Sequence, residues 1–201
     1  MKMVRMAGLA LLLGSLASPL VAQSGTGSSD SENFLDAVRK ADGAKSMELL
    51  NAPGSTVVNY RGYSGDGALH IVARRRDNEW LGFMLGQGAD PNVGDAKGDT
   101  PLIIVSRIGF TEGAKTLLAF NARVDLANKL GETPLNVAVQ GHHPQTVRLL
   151  LEAGANPDKA DHAAGYSARD YAKQDRRSTE LLRLIETVKP VRKASVGPSI
   201  K

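Results

Sequence analysis

One five-residue stretch returns along the chain at an almost constant spacing, and no other feature constrains the fold as tightly. Gly98-Asp99-Thr100-Pro101-Leu102 recurs as Gly131-Glu132-Thr133-Pro134-Leu135. A worn copy, Gly65-Asp66-Gly67-Ala68-Leu69-His70, lies the same distance upstream, and a fainter one, Gly165-Tyr166-Ser167-Ala168, follows the third after a step longer by one. A period of roughly 33 residues lies in the range of stacked repeats. A unit this short cannot bury an apolar face alone. Repetition at a fixed period therefore predicts an array in which neighbouring units share one core.

The residues inside each unit fit helix pairs. Thr100 and Thr133 stand where an N-cap hydroxyl is wanted, and Pro101 and Pro134 fall at the first helical position, where a missing N–H costs nothing. Leu102 and Leu135 open a buried face, and the first helix runs to about Ile108 or Gln140. A second helix carries Leu117 and Leu118, or Val147, Leu150 and Leu151, and ends at Gly88, Asn121 or Gly154 in the left-handed conformation. Upstream, Phe34, Leu35, Val38 and Ala41 recur at helical spacing after a cap at Asp30 or Ser31. Met47, Leu49 and Leu50 follow on a second helix after Gly43, which makes a divergent first unit. The last helix, Thr179 to Val188, puts Leu181, Leu182 and Ile185 on one face, with Arg176, Arg177, Glu180, Arg183 and Glu186 covering the other. Only 4% of residues are aromatic, which suits thin layers built on Ala, Leu and Val.

Type, order and period together resemble the ankyrin repeat. The match rests on the two Gly-Asp/Glu-Thr-Pro-Leu stretches, on Gly88-Ala89-Asp90-Pro91-Asn92, and on Leu149-Leu150-Leu151-Glu152-Ala153-Gly154-Ala155-Asn156. The resemblance implies an all-α repeat solenoid: stacked antiparallel helix pairs with hairpin-like fingers along one edge. About five units are expected, at 32–64, 65–97, 98–130, 131–164 and 165–188. Gly67-Ala68 departs from the family's Thr-Pro. Ile103 and Asn136 stand where the family often has His, and only His70 keeps it, with an expected structural role. Arg76 and His142 replace the Gly between paired helices, which strains a left-handed turn if that geometry is kept.

The resemblance also implies where another protein would bind, namely the finger tips and the exposed side of the first helices. By position these are Asp66, Arg74, Arg75, Lys97, Asp99, Arg107, Ile108, Lys129, Leu130, Glu132, Gln140 and Tyr166, with Ile108, Leu130 and Tyr166 as apolar anchors. Ile103, Ile104, Val105, Ala138 and Val139 are explained by burial. The expected function is a non-enzymatic protein–protein interaction module, monomeric and without a cofactor. One alternative is a regulator or protective inhibitor of a periplasmic enzyme, acting through the same surface.

The ends read differently from the array. Lys2 and Arg5 precede an apolar run from Met6 to Ala17, then Ser18-Pro19 and the small Ala22. This is the pattern of a cleavable signal peptide over 1–22, and it predicts a periplasmic or secreted protein with no stable membrane anchor. A Gly/Ser-rich linker is expected over 23–31 and a basic tail over 189–201. With no Cys in the chain, packing alone must hold the fold. Of 25 Lys and Arg residues, six lie in the signal or in the tail, at Lys2, Arg5, Lys189, Arg192, Lys193 and Lys201. The remaining 19 face 21 acids, so the body has no basic excess with which to neutralise phosphates, and nucleic acid is not the expected partner.

No catalytic constellation stands out. The chain has neither a Gly-x-Ser-x-Gly elbow nor a phosphate loop. Asp90, Asp95, Asp99 and Asp125 read as periodic, solvated acids on the fingers, since they lack the local clustering of a calcium loop. A metal or enzymatic role through His142 and His162, with Asp161, is the other alternative. Against it, His143 fits the Gly-His turn of the repeat and His162 fits an exposed loop.

Overall fold

Each repeated Thr-Pro step starts a helix. In the computed structural model, which describes residues 27–175 and 178–190, the Thr100 and Thr133 side-chain oxygens accept from the amides of Ile103 and Asn136 at 3.3 and 3.2 Å. The helices come in pairs: α1 (Gly27–Arg39) with α2 (Gly43–Leu50), and α3 (Ala68–Arg75) with α4 (Asn78–Gly86). The series continues with α5 (Pro101–Arg107) and α6 (Thr111–Ala119), α7 (Pro134–Gln140) and α8 (Pro144–Glu152), then α9 (Ala168–Gln174) and α10 (Thr179–Thr187). No strand occurs among the described residues. This is the all-α repeat solenoid.

First helices pack on first helices, from α1 through α9, and second helices pack on second helices from α4 through α10. Between the two layers runs one core, with Phe34, Leu35, Leu81, Met84, Leu102, Leu117, Leu135, Leu150 and Leu184 fully buried. Burying such a side chain contributes about 1.5–3 kcal/mol, and here the burial is shared between neighbouring units.

Where the hydroxyl cap is lost, another group replaces it. Gly67 precedes α3, and the buried His70 ring accepts its N–H at Nδ1 (3.0 Å) while Nε2 reaches the Asp99 carbonyl of the next unit (3.1 Å). Burial holds the His70 pKa below its ordinary value, so the ring is the neutral tautomer that donates from Nε2. At the equivalent place Asn136 donates to the Lys159 and Tyr166 carbonyls, and Asp170 forms a capping box with Ser167. The side chain of Ile103 has no polar group to offer there and is simply buried.

The turn geometry is kept despite the missing glycines. Arg76 and His142 sit at φ 60° and 54°, in register with Gly109 at φ 65°, and Ala41 does the same at φ 57° in the first unit. A left-handed non-Gly residue costs about 1–2 kcal/mol. Arg76 offsets part of this by lying over the Phe110 ring, 5.4 Å from its centroid, and by donating to the Ile108 carbonyl. Asn121 is left-handed at φ 64°, and Gly88 and Gly154 at φ 86° and 92°.

Four expectations change. Ala41, expected on the apolar face of the first helix, is exposed in the left-handed turn after α1. Residues 27–31, expected in the linker, belong to α1, and Asp30 and Ser31 lie inside that helix rather than capping it. An acid in the first turn favours the helix dipole, and Ser31 is buried. On the outermost helix Leu49 is buried and Leu50 packs partly against the core, while Met47 is 42% exposed. On the last helix Leu184 joins Leu181 and Ile185 in the core, while Leu182 is only partly buried. The expected signal peptide, residues 23–26, Arg176, Arg177 and residues 191–201 of the tail lie outside the described residues.

Candidate protein-binding face

Between pairs the chain leaves the helices as a tight hairpin. The closing bonds are repeated: Gly62 N–H to Asp66, Asp95 to Asp99, Asn128 to Glu132, and Asp161 to Tyr166, with N···O distances of 3.0 Å. The last hairpin holds one residue more, which accounts for the longer last step in the sequence. Each later finger donates one backbone bond to the finger before it: Ala96 to Ser64, Lys129 to Lys97, and His162 to Leu130. The fingers therefore form a continuous row.

Side chains on the fingers complete this row. Asp95 Oδ1 accepts from the amides of Lys97 and Asp99, Asn128 Oδ1 from those of Leu130 and Glu132, and Asp161 Oδ1 from those of Ala163, Ala164 and Gly165. At the opposite loop edge, Asn59, Asn92 and Asp125 stand at matching positions of three successive units. They accept from the amides of Asp90, Arg123 and Asn156, each in the following unit. Asp95 and Asp99 are thus not solvated, being 7% and 4% exposed. Asp95 and Asp125 join one unit to the next, while Asp90 stays exposed and accepts from the amide of Asn92 in its own unit.

The concave arginines are held by the same acids. Arg74 donates to Asp66 on the first finger (2.7 Å) and to Asp95 on the second (3.0 Å). One repeat later the finger residue is the neutral Asn128, and Arg107 bridges Asp99 (2.5 Å) and Glu132 (3.1 Å) instead. Asn128 donates to both of those carboxylates at 2.7 Å. Burial would raise the Asp99 carboxyl, but Arg107 and Asn128 outweigh it and hold the pKa below the usual carboxylate value. Arg75 turns into the array, where it donates to the Val38 carbonyl at 2.6 Å and to Asp77, which caps α4. Ile108 is partly buried against the core. Arg75 and Ile108 are less available to a partner than their positions imply.

A model of the ankyrin repeats, in three copies, matches residues 69–161. The chain is also similar to the E3 ubiquitin-protein ligase XBAT33 of Arabidopsis thaliana, 32% identical over 135 residues. The chain belongs to the ankyrin-repeat family. That similarity covers 66% of this chain and 26% of the ligase, so the chain spans about a quarter of that relative. Ankyrin repeats are protein–protein interaction modules and generally have no enzymatic activity of their own.

Within this ankyrin array, the exposed residues of the face that no ion pair claims are Lys97, Lys129, Leu130, Gln140 and Tyr166. Lys97, Asp99, Arg107, Asn128, Lys129, Leu130 and Glu132 line a recess of ≈400 Å³ between the second and third fingers. Tyr166 stands where the other units carry an acid and meets Tyr171 edge-on, with centroids 5.6 Å apart. Tyr171 in turn donates to Asp161; burial and this bond push its pKa up to about 12. Gln140 takes the place of Arg74 and Arg107, so no arginine ties the last finger. Gln140 lines a smaller recess of ≈240 Å³ with Val139, His142, Tyr171, Asp175 and Ser178.

The structure does not bring together His142 and His162, the residues of the alternative metal reading. His142 follows the C-terminus of α7 and pairs with Asp175 (3.0 Å) and Ser178 (3.3 Å). The His162 ring lies against Gly131, before the N-terminus of α7, one helix length of about 10 Å away. His143 packs on Gly109 and Gly141 and bonds the Arg107 carbonyl at 3.0 Å, a structural role.

One residue of the face escaped the sequence reading. Tyr63 is fully exposed on the first finger. Its segment reads as a long loop because Gly62 replaces the Asx that marks the other fingers; the signal was its register, level with Ala96 and Lys129.

Proposed function

We propose that this ankyrin array is an exported module that holds a partner protein against its finger row and the exposed flank of its first helices. One observation carries the reading. Of the five large hydrophobic side chains exposed among the described residues, Tyr63, Leu130 and Tyr166 all lie on fingers, and Leu130 is 55% exposed at the edge of the ≈400 Å³ recess. Scattered exposed apolar residues need no explanation, but a row of them along one edge does. Export is supported by the n-region, the apolar run and the small-residue cut site at the N-terminus. A stable complex buries about 1,200–2,000 Å² in total, more than the recess alone, so the partner must span several fingers.

The test compares two variants as bait in an extracytoplasmic extract. Tyr63→Ala/Leu130→Ala/Tyr166→Ala should lose the partner that the wild type captures. Met47→Ala/Phe120→Ala, altered outside the fingers, should keep it. Equal recovery by both variants would remove the finger row as the interface.

A further inference from the structure

Resting on that reading, we infer that the recess between the second and third fingers takes an acidic, extended segment of the partner that also carries an apolar side chain. The inference comes from how charge is distributed around this recess. Its floor is a closed network: Arg107 and Asn128 between them occupy the carboxylates of Asp99 and Glu132. A cationic ligand would have to break that network. Its rim carries Lys97 and Lys129 on adjacent fingers, both exposed and neither in an ion pair among the described residues. Lys97 is near enough to help lower the Asp99 pKa without pairing with it. Leu130 and the aliphatic stems of the two lysines form the wall.

The chemistry that fits two free ammonium groups, an aliphatic wall and a neutralised floor is a carboxylate beside an apolar residue. The ammonium groups steer and orient the acid, and Leu130 supplies contact area. Extended chain suits the site because the recess runs across fingers already joined by a backbone bond from Lys129 to Lys97. A phosphate chain would be drawn to the same rim. The body of the protein carries no basic excess along which such a chain could continue.

The experiment is fluorescence anisotropy with the purified protein and a fluorescein-labelled dodecapeptide of alternating Glu and Leu. A Lys/Leu dodecapeptide and a labelled single-stranded oligonucleotide serve as comparisons. The acidic peptide should bind, more weakly as salt shortens the Debye length below ~10 Å. Lys97→Glu/Lys129→Glu should weaken it about tenfold or more while the melting temperature stays unchanged. Leu130→Ala should also weaken it, and the Lys/Leu peptide should not bind. No binding up to about 1 mM, equal binding by the charge-reversed variant, or preference for the oligonucleotide would each overturn the inference. If the charge-reversed variant still captures the protein partner through Tyr63, Leu130 and Tyr166, the finger interface stands and the acidic segment alone is wrong.

Discussion

Replacing Ser106 by Ala should stabilise this protein. Ser106 is fully buried in α5, and its Oγ has no hydrogen-bond partner among the described residues. The same register after the cap holds Ala73 in α3 and Val139 in α7, both buried, so the place is built for an apolar side chain. A buried hydroxyl without a partner costs about 1–3 kcal/mol. Ala is also the better helix former, by about 0.5 kcal/mol. Removing one oxygen leaves a void smaller than a methyl group, which returns less than about 1 kcal/mol. The balance is a gain of about 1–2 kcal/mol. For a chain of this size that corresponds to a melting temperature higher by about 3–6 °C.

Urea titration followed by far-UV circular dichroism measures this directly, provided the slope against urea stays that of the wild type. Ser46 offers an independent copy of the experiment. It too is buried with an unpartnered Oγ, at a place where Leu81, Ala114 and Val147 stand in the other second helices. Ser46→Ala and Ser106→Ala should add, since the sites lie in different units. A loss of stability of about 0.5 kcal/mol or more in Ser106→Ala would refute the reasoning. It would mean that the hydroxyl bonds back to a carbonyl of its own helix, as serines in helices can.

Arg107→Ala should cost about 1–2 kcal/mol, a figure held down because Arg107 is 41% exposed and solvent screens its pairs. Asp99 has a folded pKa below its unfolded value, so its contribution is full above about pH 4 and is lost as the pH falls further. The gap between wild type and variant in chemical denaturation should close in that range. His70 also has a folded pKa below its unfolded value of about 6.5, so its contribution is present above that pH and declines below it. His70→Asn should flatten the fall in stability as the pH drops through that value, read by melts on either side of it. Leu135→Ala should cost about 2–5 kcal/mol and Leu135→Asp should unfold the neighbouring units together; an Asp variant melting like wild type would contradict its place in the core. Mass measurement of the exported form should give a chain that begins at Gln23; a mass retaining Met1 would refute signal cleavage.

The helices were legible because their signals are local. A Thr oxygen caps a nearby amide and a proline fixes the turn between them, so type and period sufficed. Arg76 and His142 could be recognised as left-handed from register alone, although neither is a residue that favours it. The first helix began earlier than its composition suggested, because an acid in its first turn and the burial of Ser31 overrode the Gly/Ser signal at Gly27, Ser28 and Ser29. The binding face was less legible. Arg74, Arg75 and Arg107 stand at places that point to a partner, and apart from Asp77, two residues from Arg75, the groups that claim them are 8, 21, 25 or 37 residues away along the chain. No spacing rule finds such partners.

What separates a binding cation from a structural one in this array is therefore the residue on the following finger. Where that residue is Asp95, it draws Arg74 inward, and where it is Asn128, Arg107 passes on to Glu132. Either way the guanidinium is taken by the neighbour, and its charge cancels within the array. Lys97 and Lys129 sit on the hairpin turns themselves, beyond the side of the acids, and their charge is left over. A substitution that moved an acid onto those turns would neutralise the rim without touching the stack. One that removed Asp95 would do the reverse: it would leave Arg74 held by Asp66 alone and loosen the second finger. The two should be separable, with the first read in binding at constant melting temperature and the second in stability. A Lys97→Glu chain that lost stability as much as Asp95→Ala would show that the lysines, too, belong to the scaffold.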